Sequence, residues 1–296
     1  MEGCPGLARA GGSACTILAS AEGTFPFSIA VLQVYSWSES RRLAIPVNGQ
    51  LRVGTSGFAY KEWKGNFYPE KFADSEMLQF YSQHFSTVEI NNTFYRMPTE
   101  GLLSKWAGIV PEGFQFALKA NQQITHIQRL RNSESTLKRF LEVASVLNDG
   151  NHLGPVLVQL PPNFKADLNV LEEFLKLRPP AFRIAFEVRH NSWHTEETYA
   201  MLRKYETALC IAETDEGEPP IVLTANFTYL RLRRETYTDK QLSAWNDRIE
   251  DWLRQSMDVF AYFKHEDAGK ATAYANRLLN KRSEGKTPSK AKARRA

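Results

Sequence analysis

The sequence predicts a single α/β domain, a (β/α)8 barrel with one parallel eight-stranded sheet, over residues 51–282. Three observations point there: strand-like runs alternate with amphipathic helix-like runs, eight strands can be counted, and no linker or internal repeat divides the series. A chain of 296 residues with 43% apolar, 12% aromatic and 24% charged residues can bury a sizeable core. Barrels commonly reach about 250 residues as one unit, so the length fits a single domain. No glycine-rich dinucleotide fingerprint follows any strand, which disfavours an open doubly wound sheet.

In chain order the predicted strands are Leu51–Thr55, Thr87–Asn91, Phe114–Lys119, Val156–Leu160, Ile184–Arg189, Ala208–Glu213, Thr228–Arg233 and Val259–His265. The helices between them are Ser75–Phe85, Glu100–Val110, Glu134–Leu147, Leu168–Leu177, Glu196–Tyr205, Asp239–Gln255 and Lys270–Leu279. Ser133 to Thr136 and Asp239 carry the short polar side chains that cap helix starts. The crossover Thr214–Phe227 is short and proline-bearing, so its helix is predicted to be short or missing.

Residues 1–50 read as an extension outside the fold. They open on Gly, Ala and Ser, lack a basic secretion n-region, and hold an apolar run, Phe25–Trp37, too short to span a bilayer. The net charge of +4 is unevenly placed: from Lys281 onward there are seven Lys or Arg and one Glu, so the rest carries a net −2. Residues 283–296 read as a disordered basic tail, either a solvated end or a weak electrostatic contact for nucleic acid or anionic lipid. Cys4, Cys15 and Cys210 offer no disulfide framework, which fits a reducing cytoplasmic location with no membrane partner.

Side chains alternate faces along a strand, so each strand divides into two phases. Val88 and Ile90 oppose Glu89 and Asn91. Phe116 and Leu118 oppose Ala117 and Lys119, and Val156, Val158 and Leu160 oppose Leu157 and Gln159. Phe186 and Val188 oppose Glu187 and Arg189, and Leu230 and Leu232 oppose Tyr229, Arg231 and Arg233. In the eighth strand Ala261, Phe263 and His265 are assigned inward. The face toward the helices must be apolar, so the polar phase faces the barrel interior. Burying such charges costs several kcal/mol unless they pair with one another or with a ligand.

Four segments, Val88-Glu-Ile-Asn-Asn-Thr-Phe-Tyr95, Phe116-Ala-Leu-Lys119 with Ile124-Thr-His126, Leu153-Gly-Pro-Val-Leu-Val-Gln-Leu-Pro-Pro162 and Phe186-Glu-Val-Arg-His-Asn-Ser-Trp193, resemble the signature segments of the YecE-like proteins (domain of unknown function 72). The resemblance covers about Val53 to Leu279 and implies a TIM-barrel fold. The chain departs from it where many members carry an Arg-Phe-His-Gly-like segment and this one has Arg231-Leu-Arg-Arg-Glu235. It departs again where Asn-Asn-Asp is common and this one has Lys264-His-Glu-Asp267.

The residues support an enzyme that uses Glu89, Lys119, His126, Glu187 and His265 in acid-base chemistry, with Asn91, Tyr95, Gln159, Arg189, Trp193 and Arg231 binding the substrate. The arginines suit a phosphate- or carboxylate-bearing small molecule. Glu, Asp and His from several strand ends, with His190, Asp215, Glu266 and Asp267 on loops, also permit a divalent metal in a hydrolase of phosphodiester type or a sugar isomerase, although no HxH or HExxH spacing occurs. Without a metal, Lys119 can bind an anion as a cation or act, desolvated, as a base or imine-forming amine. The loop aromatics Phe58, Tyr60, Trp63, Phe67, Tyr68, Phe94, Tyr95 and Trp193 either cap the mouth or stack on a ring. Lone loop histidines, His152 and His194, read as surface residues. A reading from another class is a non-catalytic nucleic-acid-binding barrel that uses its mouth and basic tail.

Overall fold

The structure, a computed structural model, describes residues 49–148, 150–217, 219–264 and 269–285, with side chains to 280. The extension up to residue 48, the tail from residue 286, and His265, Glu266 and Asp267 lie outside the described residues. The strands are β1 Leu51–Thr55, β2 Thr87–Ile90, β3 Gln115–Lys119, β4 Leu153–Gln159, β5 Ile184–Glu187, β6 Ala208–Glu213, β7 Phe227–Leu232 and β8 Asp258–Phe263. Around them lie α1 Met77–Ser82, α2 Asn92–Tyr95, α3 Glu100–Ala107, α4 Glu134–Ser145, α5 Leu168–Lys176, α6 Glu196–Lys204, α7 Asp239–Arg254 and α8 Lys270–Gly285. The one-turn α2 was not foreseen, and α8 runs past both Leu279 and the boundary expected at residue 282. No helix is present among the described residues between β6 and β7, as predicted. There the Thr224 hydroxyl accepts from Leu209 N and donates to Thr207 O, both at 2.7 Å, stitching the connection along β6.

All seven ladders are parallel, in the order β1-β8-β7-β6-β5-β4-β3-β2. The remaining seam, β1 against β2, is joined by a single parallel bridge, Ser56 with Glu89, in which Gly57 N donates to Glu89 O at 2.8 Å. Below that bridge a side chain stands in for the ladder. The Tyr81 hydroxyl, from α1, accepts from Thr55 N at 2.8 Å and donates to Thr87 O at 3.1 Å. The backbones approach so closely that a Cβ on Gly54 would lie 2.0 Å from Thr87 O, so only glycine fits there.

The strand phases place the core as the alternation requires. Val88, Ile90, Phe116, Leu118, Val156, Val158, Ile184, Phe186, Leu230 and Leu232 pack under the helices. The other phase encloses a second cluster inside the barrel: Ala117, Leu157, Ala185, Ala208, Cys210, Phe227, Tyr229, Phe260 and Tyr262. In β8 the expected phase is reversed, since Phe260 and Tyr262 point inward while Ala261 and Phe263 join the outer layer. The reason is volume. Alanines 117, 185 and 208 leave the interior short of side-chain atoms, and rings from β7 and β8 fill it.

Helix starts differ in detail from the polar residues first singled out. Thr238, one residue before Asp239, forms a capping box with Gln241, and Thr99, Asp167 and Thr195 cap α3, α5 and α6. Ser133 stands at the cap position of α4, but its hydroxyl turns back to donate to Leu130 O at 2.9 Å. His152 is buried rather than at the surface, with Nδ1 against Phe114 O at 2.8 Å. None of the described helices is long and apolar enough to cross a membrane.

The seam yields a stability test. Tyr81→Phe keeps the ring packing but leaves the buried Thr55 N–H and Thr87 carbonyl without their partner. Urea denaturation is expected to show a loss of about 1–3 kcal/mol, and an unchanged midpoint would deny Tyr81 its part in closing the barrel.

Candidate active site

At the C-terminal end of the barrel the inward phases converge on Arg231, which is 3% exposed. Its two terminal nitrogens divide between two strands: Nη2 donates to Glu89 Oε1 at 2.7 Å, and Nη1 donates to Glu187 Oε2 at 2.5 Å. Both glutamates are buried as well. Glu89 is further saturated by Ser56 Oγ at 2.5 Å, Asn91 Nδ2 at 3.1 Å and the Tyr229 hydroxyl at 2.8 Å. Glu187 accepts from Gln159 Nε2 at 2.7 Å and Arg233 Nη2 at 3.2 Å, with Arg189 Nε 3.4 Å away. Lys119 completes the cluster by donating to Gln159 Oε1 at 2.8 Å while lying 3.9 Å from the centre of the Phe94 ring.

The electrostatics follow from this geometry. Burial pushes the Glu89 carboxyl up, but Arg231 and the hydroxyl donors Ser56 and Tyr229 outweigh it and hold it below its ordinary value. Burial also works against the charge on Arg231, and the two glutamates overcome that too, so its guanidinium is held charged. Lys119 moves the other way, to about 8, because burial and then the Arg231 charge exceed the pull of Glu187 and Glu89. Four cations, Lys119, Arg189, Arg231 and Arg233, thus stand against two carboxylates. The Nε–H groups of Arg231 and Arg233 are buried and have no acceptor among the described residues.

Of the residues singled out from the sequence, Glu89, Asn91, Lys119, Gln159, Glu187, Arg189 and Arg231 come together in this cluster. His126 sits beside it on the π-helical turn Gln123–Ile127, its ring edge-on to Phe94 at 4.8 Å and its Nδ1 2.9 Å from Thr125 Oγ1. Burial, followed by Lys119, Arg189 and Arg129, lowers its pKa. Downstream of this turn Arg129, Leu130 and Asn132 adopt φ of 49°, 67° and 49°, so the loop is held in a conformation that side chains disfavour.

Two residues stand apart. Trp193 is 0% exposed and donates to Phe164 O at 2.7 Å, so it braces the loop after β5 instead of facing a ligand. Tyr95 is 72% exposed at the end of α2. The loop aromatics Trp63, Phe67 and Tyr68 pack with Phe72, Phe80 and Tyr81 into a continuous plug beside β1, the capping role. Among the described residues no three His, Cys, Asp or Glu side chains are grouped to hold a metal.

Strand reasoning missed Ser56 and Tyr229 as partners of Glu89, although Tyr229 shares the phase of Arg231 and could have been included on that ground. It also missed a third buried carboxylate, Glu213, which faces the helix layer and accepts from Arg234 Nε, the Tyr237 hydroxyl and Trp245 Nε1 at 2.8, 2.8 and 2.9 Å. This carboxylate ties β6 to α7. Asp215 accepts from Glu235 N at 3.0 Å and braces the same loop.

Residues 52–295 match the family described as "Protein of unknown function DUF72". The chain is 28% identical over 264 residues to the UPF0759 protein YunF of Bacillus subtilis (strain 168), covering 77% of this chain and 93% of YunF. A crystal structure of a DUF72 family protein from Thermotoga maritima MSB8 aligns with a TM-score of 0.71 at 25% identity, covering 80% of this chain and 99% of that one. Another, from Enterococcus faecalis V583, aligns with a TM-score of 0.66 at 19% identity over 80% and 99% of the two chains, a likeness of fold alone.

Arg231→Met leaves two buried carboxylates without their shared cation, and equilibrium unfolding is expected to show a loss of about 3–5 kcal/mol. Glu89 supplies a pH test. Its carboxyl is held below the ordinary value of 4.5, so the stability it adds is present above that pH and disappears as pH falls through the folded value. Glu89→Gln should therefore flatten the acid limb of the stability profile. A mutant with the wild-type acid limb would show that Glu89 is not the group responsible.

Proposed function

The chain belongs to the DUF72 family, and on that premise we propose that the barrel mouth binds and transforms a small anionic molecule by proton transfer without help from the two glutamates as free bases. The observation that carries this reading is the distribution of charge. Glu89 and Glu187 are consumed by Arg231, whereas Lys119, Arg189 and Arg233 stand around them with donors to spare. A site of that composition favours a phosphate or carboxylate group, which can take charge-assisted hydrogen bonds from a guanidinium fork.

Within this reading the residues divide into two kinds. Arg189, 40% exposed, and Arg233, at 14%, hold the anion at the rim. Lys119, brought to about 8, and His126, lowered as well, are the groups able to exchange a proton near neutral pH. Arg231, Glu89, Glu187 and Gln159 position them. The occupied state of both carboxylates favours this metal-free acid-base chemistry over a metal-assisted hydrolase or isomerase. Gln159 is a positioning residue in particular: Glu187 takes its amide N–H, which turns its carbonyl toward Lys119.

Calorimetric titration with inorganic phosphate, and then with a panel of phosphorylated and carboxylated metabolites, tests the reading. Arg233→Met is expected to weaken phosphate binding roughly 10- to 100-fold, the equivalent of one lost charged hydrogen-bond pair. Because Lys119 is charged below about 8 and neutral above it, affinity should fall as the pH is raised through that value, and Lys119→Met should remove the dependence. Phosphate binding indifferent to both substitutions would overturn the assignment.

A further inference from the structure

We propose that Lys119 is the nucleophile of this site, condensing through Nζ with the carbonyl carbon of a small anionic aldehyde or ketone to form an imine, while Arg189 and Arg233 hold the anionic group. The proposal rests on the reading of the mouth as an anion site, and adds to it the reacting atom and the substrate class.

The geometry around Nζ is unusual for a lysine close to two glutamates. Its hydrogen-bond acceptor is a neutral amide oxygen, Gln159 Oε1, and its other neighbour is the face of Phe94. Among the described residues no carboxylate lies within ion-pair distance of it, because Arg231 bridges Glu89 and Glu187 and draws both away. Gln159 cannot turn its oxygen elsewhere without giving up the hydrogen bond from its Nε2 to Glu187. A neutral amine fits these surroundings well: one N–H goes to Gln159 and the other to the ring face, which leaves the lone pair free. An ammonium group is attracted by the ring face but finds, among the described residues, one oxygen acceptor for its three donors.

The same surroundings set the amount of free amine. With Lys119 brought to about 8, by burial first and Arg231 next, about a tenth of the molecules carry the neutral form at pH 7, against well under a thousandth for an ordinary lysine. His126, which shares the Phe94 ring with Lys119, is the adjacent proton carrier.

The step balances without any further reactant. The Nζ lone pair attacks the carbonyl carbon, a C–N bond forms, and the carbonyl π electrons move to oxygen, which takes a proton. The nitrogen then loses a proton, the hydroxyl takes one and leaves as water, and the nitrogen lone pair forms the C=N bond. The positive iminium beside Arg231 is offset by the phosphate or carboxylate that the substrate itself carries. A neutral carbonyl compound lacks that compensation and is disfavoured.

Reductive trapping tests the proposal. The full chain is incubated with pyruvate in one arm and glyceraldehyde 3-phosphate in another, reduced with sodium borohydride, and analysed by intact mass and tryptic peptide mapping. The expected result is one adduct per chain in at least one arm, on Lys119, suppressed by excess inorganic phosphate and absent in Lys119→Arg. Adducts scattered over exposed lysines such as Lys105 and Lys138, adducts insensitive to phosphate, or none in either arm would overturn it. If Lys119→Arg fails to fold, the peptide map and the phosphate protection of the wild-type chain still decide. Phosphate binding sensitive to Arg233→Met but without an adduct removes the imine and leaves the anion site standing; absence of phosphate binding removes the anion site as well.

Discussion

The upper half of the barrel depends on one guanidinium. Arg231 reaches from β7 to Glu89 on β2 and Glu187 on β5, tying β7 to strands three and two places away around the ring. Two carboxylates buried in the same interior would repel each other and lose the solvation that water provides; one guanidinium that bridges them, with a terminal nitrogen on each, offsets both. Everything else at the mouth is arranged around this pairing. Ser56, Asn91 and Tyr229 take up the spare lone pairs of Glu89, and Gln159, Arg189 and Arg233 do so for Glu187.

Barrel closure and the site meet in one residue. The backbone carbonyl of Glu89 accepts the hydrogen bond from Gly57 that joins β1 to β2, while its side chain accepts from Ser56 and Arg231. The seam lacks a ladder of its own and is held by this bridge, by the inserted Tyr81 hydroxyl and by the close approach at Gly54. Below the charged layer the interior is filled by Phe227, Tyr229, Phe260 and Tyr262 against alanines. Tyr262 donates to Thr87 Oγ1 at 2.9 Å, since Thr87 uses its own proton on Gln115 O. The interior is thus aromatic at the bottom and ionic at the top. That division strengthens every charge interaction near the mouth.

The consequence for chemistry is a separation between acidic residues that are present and acidic residues that are free. A list of strand-end residues invites Glu89 and Glu187 into catalytic roles, yet both are committed to Arg231. The lysine, which the list treats as one cation among several, is left with an amide and an aromatic face. Its altered proton affinity is therefore a product of its burial first and of the Arg231 charge next, and not of its own sequence neighbours.

By itself the sequence determined the barrel, its eight strands and the inward phase of β2, β3, β4, β5 and β7, because alternation of polar and apolar side chains is a local property of each strand. It also determined which residues reach the mouth, Glu89, Lys119, Gln159, Glu187 and Arg231 among them. It misassigned β8, where Phe260 and Tyr262 face inward, since the assignment follows His265 whereas Asp258 and Lys264 share the other phase, and the vacant volume opposite comes from distant alanines. Nor did it place Trp193, whose ring looks available at a loop but is buried against Phe164. The pairing itself was decided only by tertiary structure. Which carboxylate meets which cation depends on the order and stagger of strands separated by up to 142 residues, and no local pattern carries that distance.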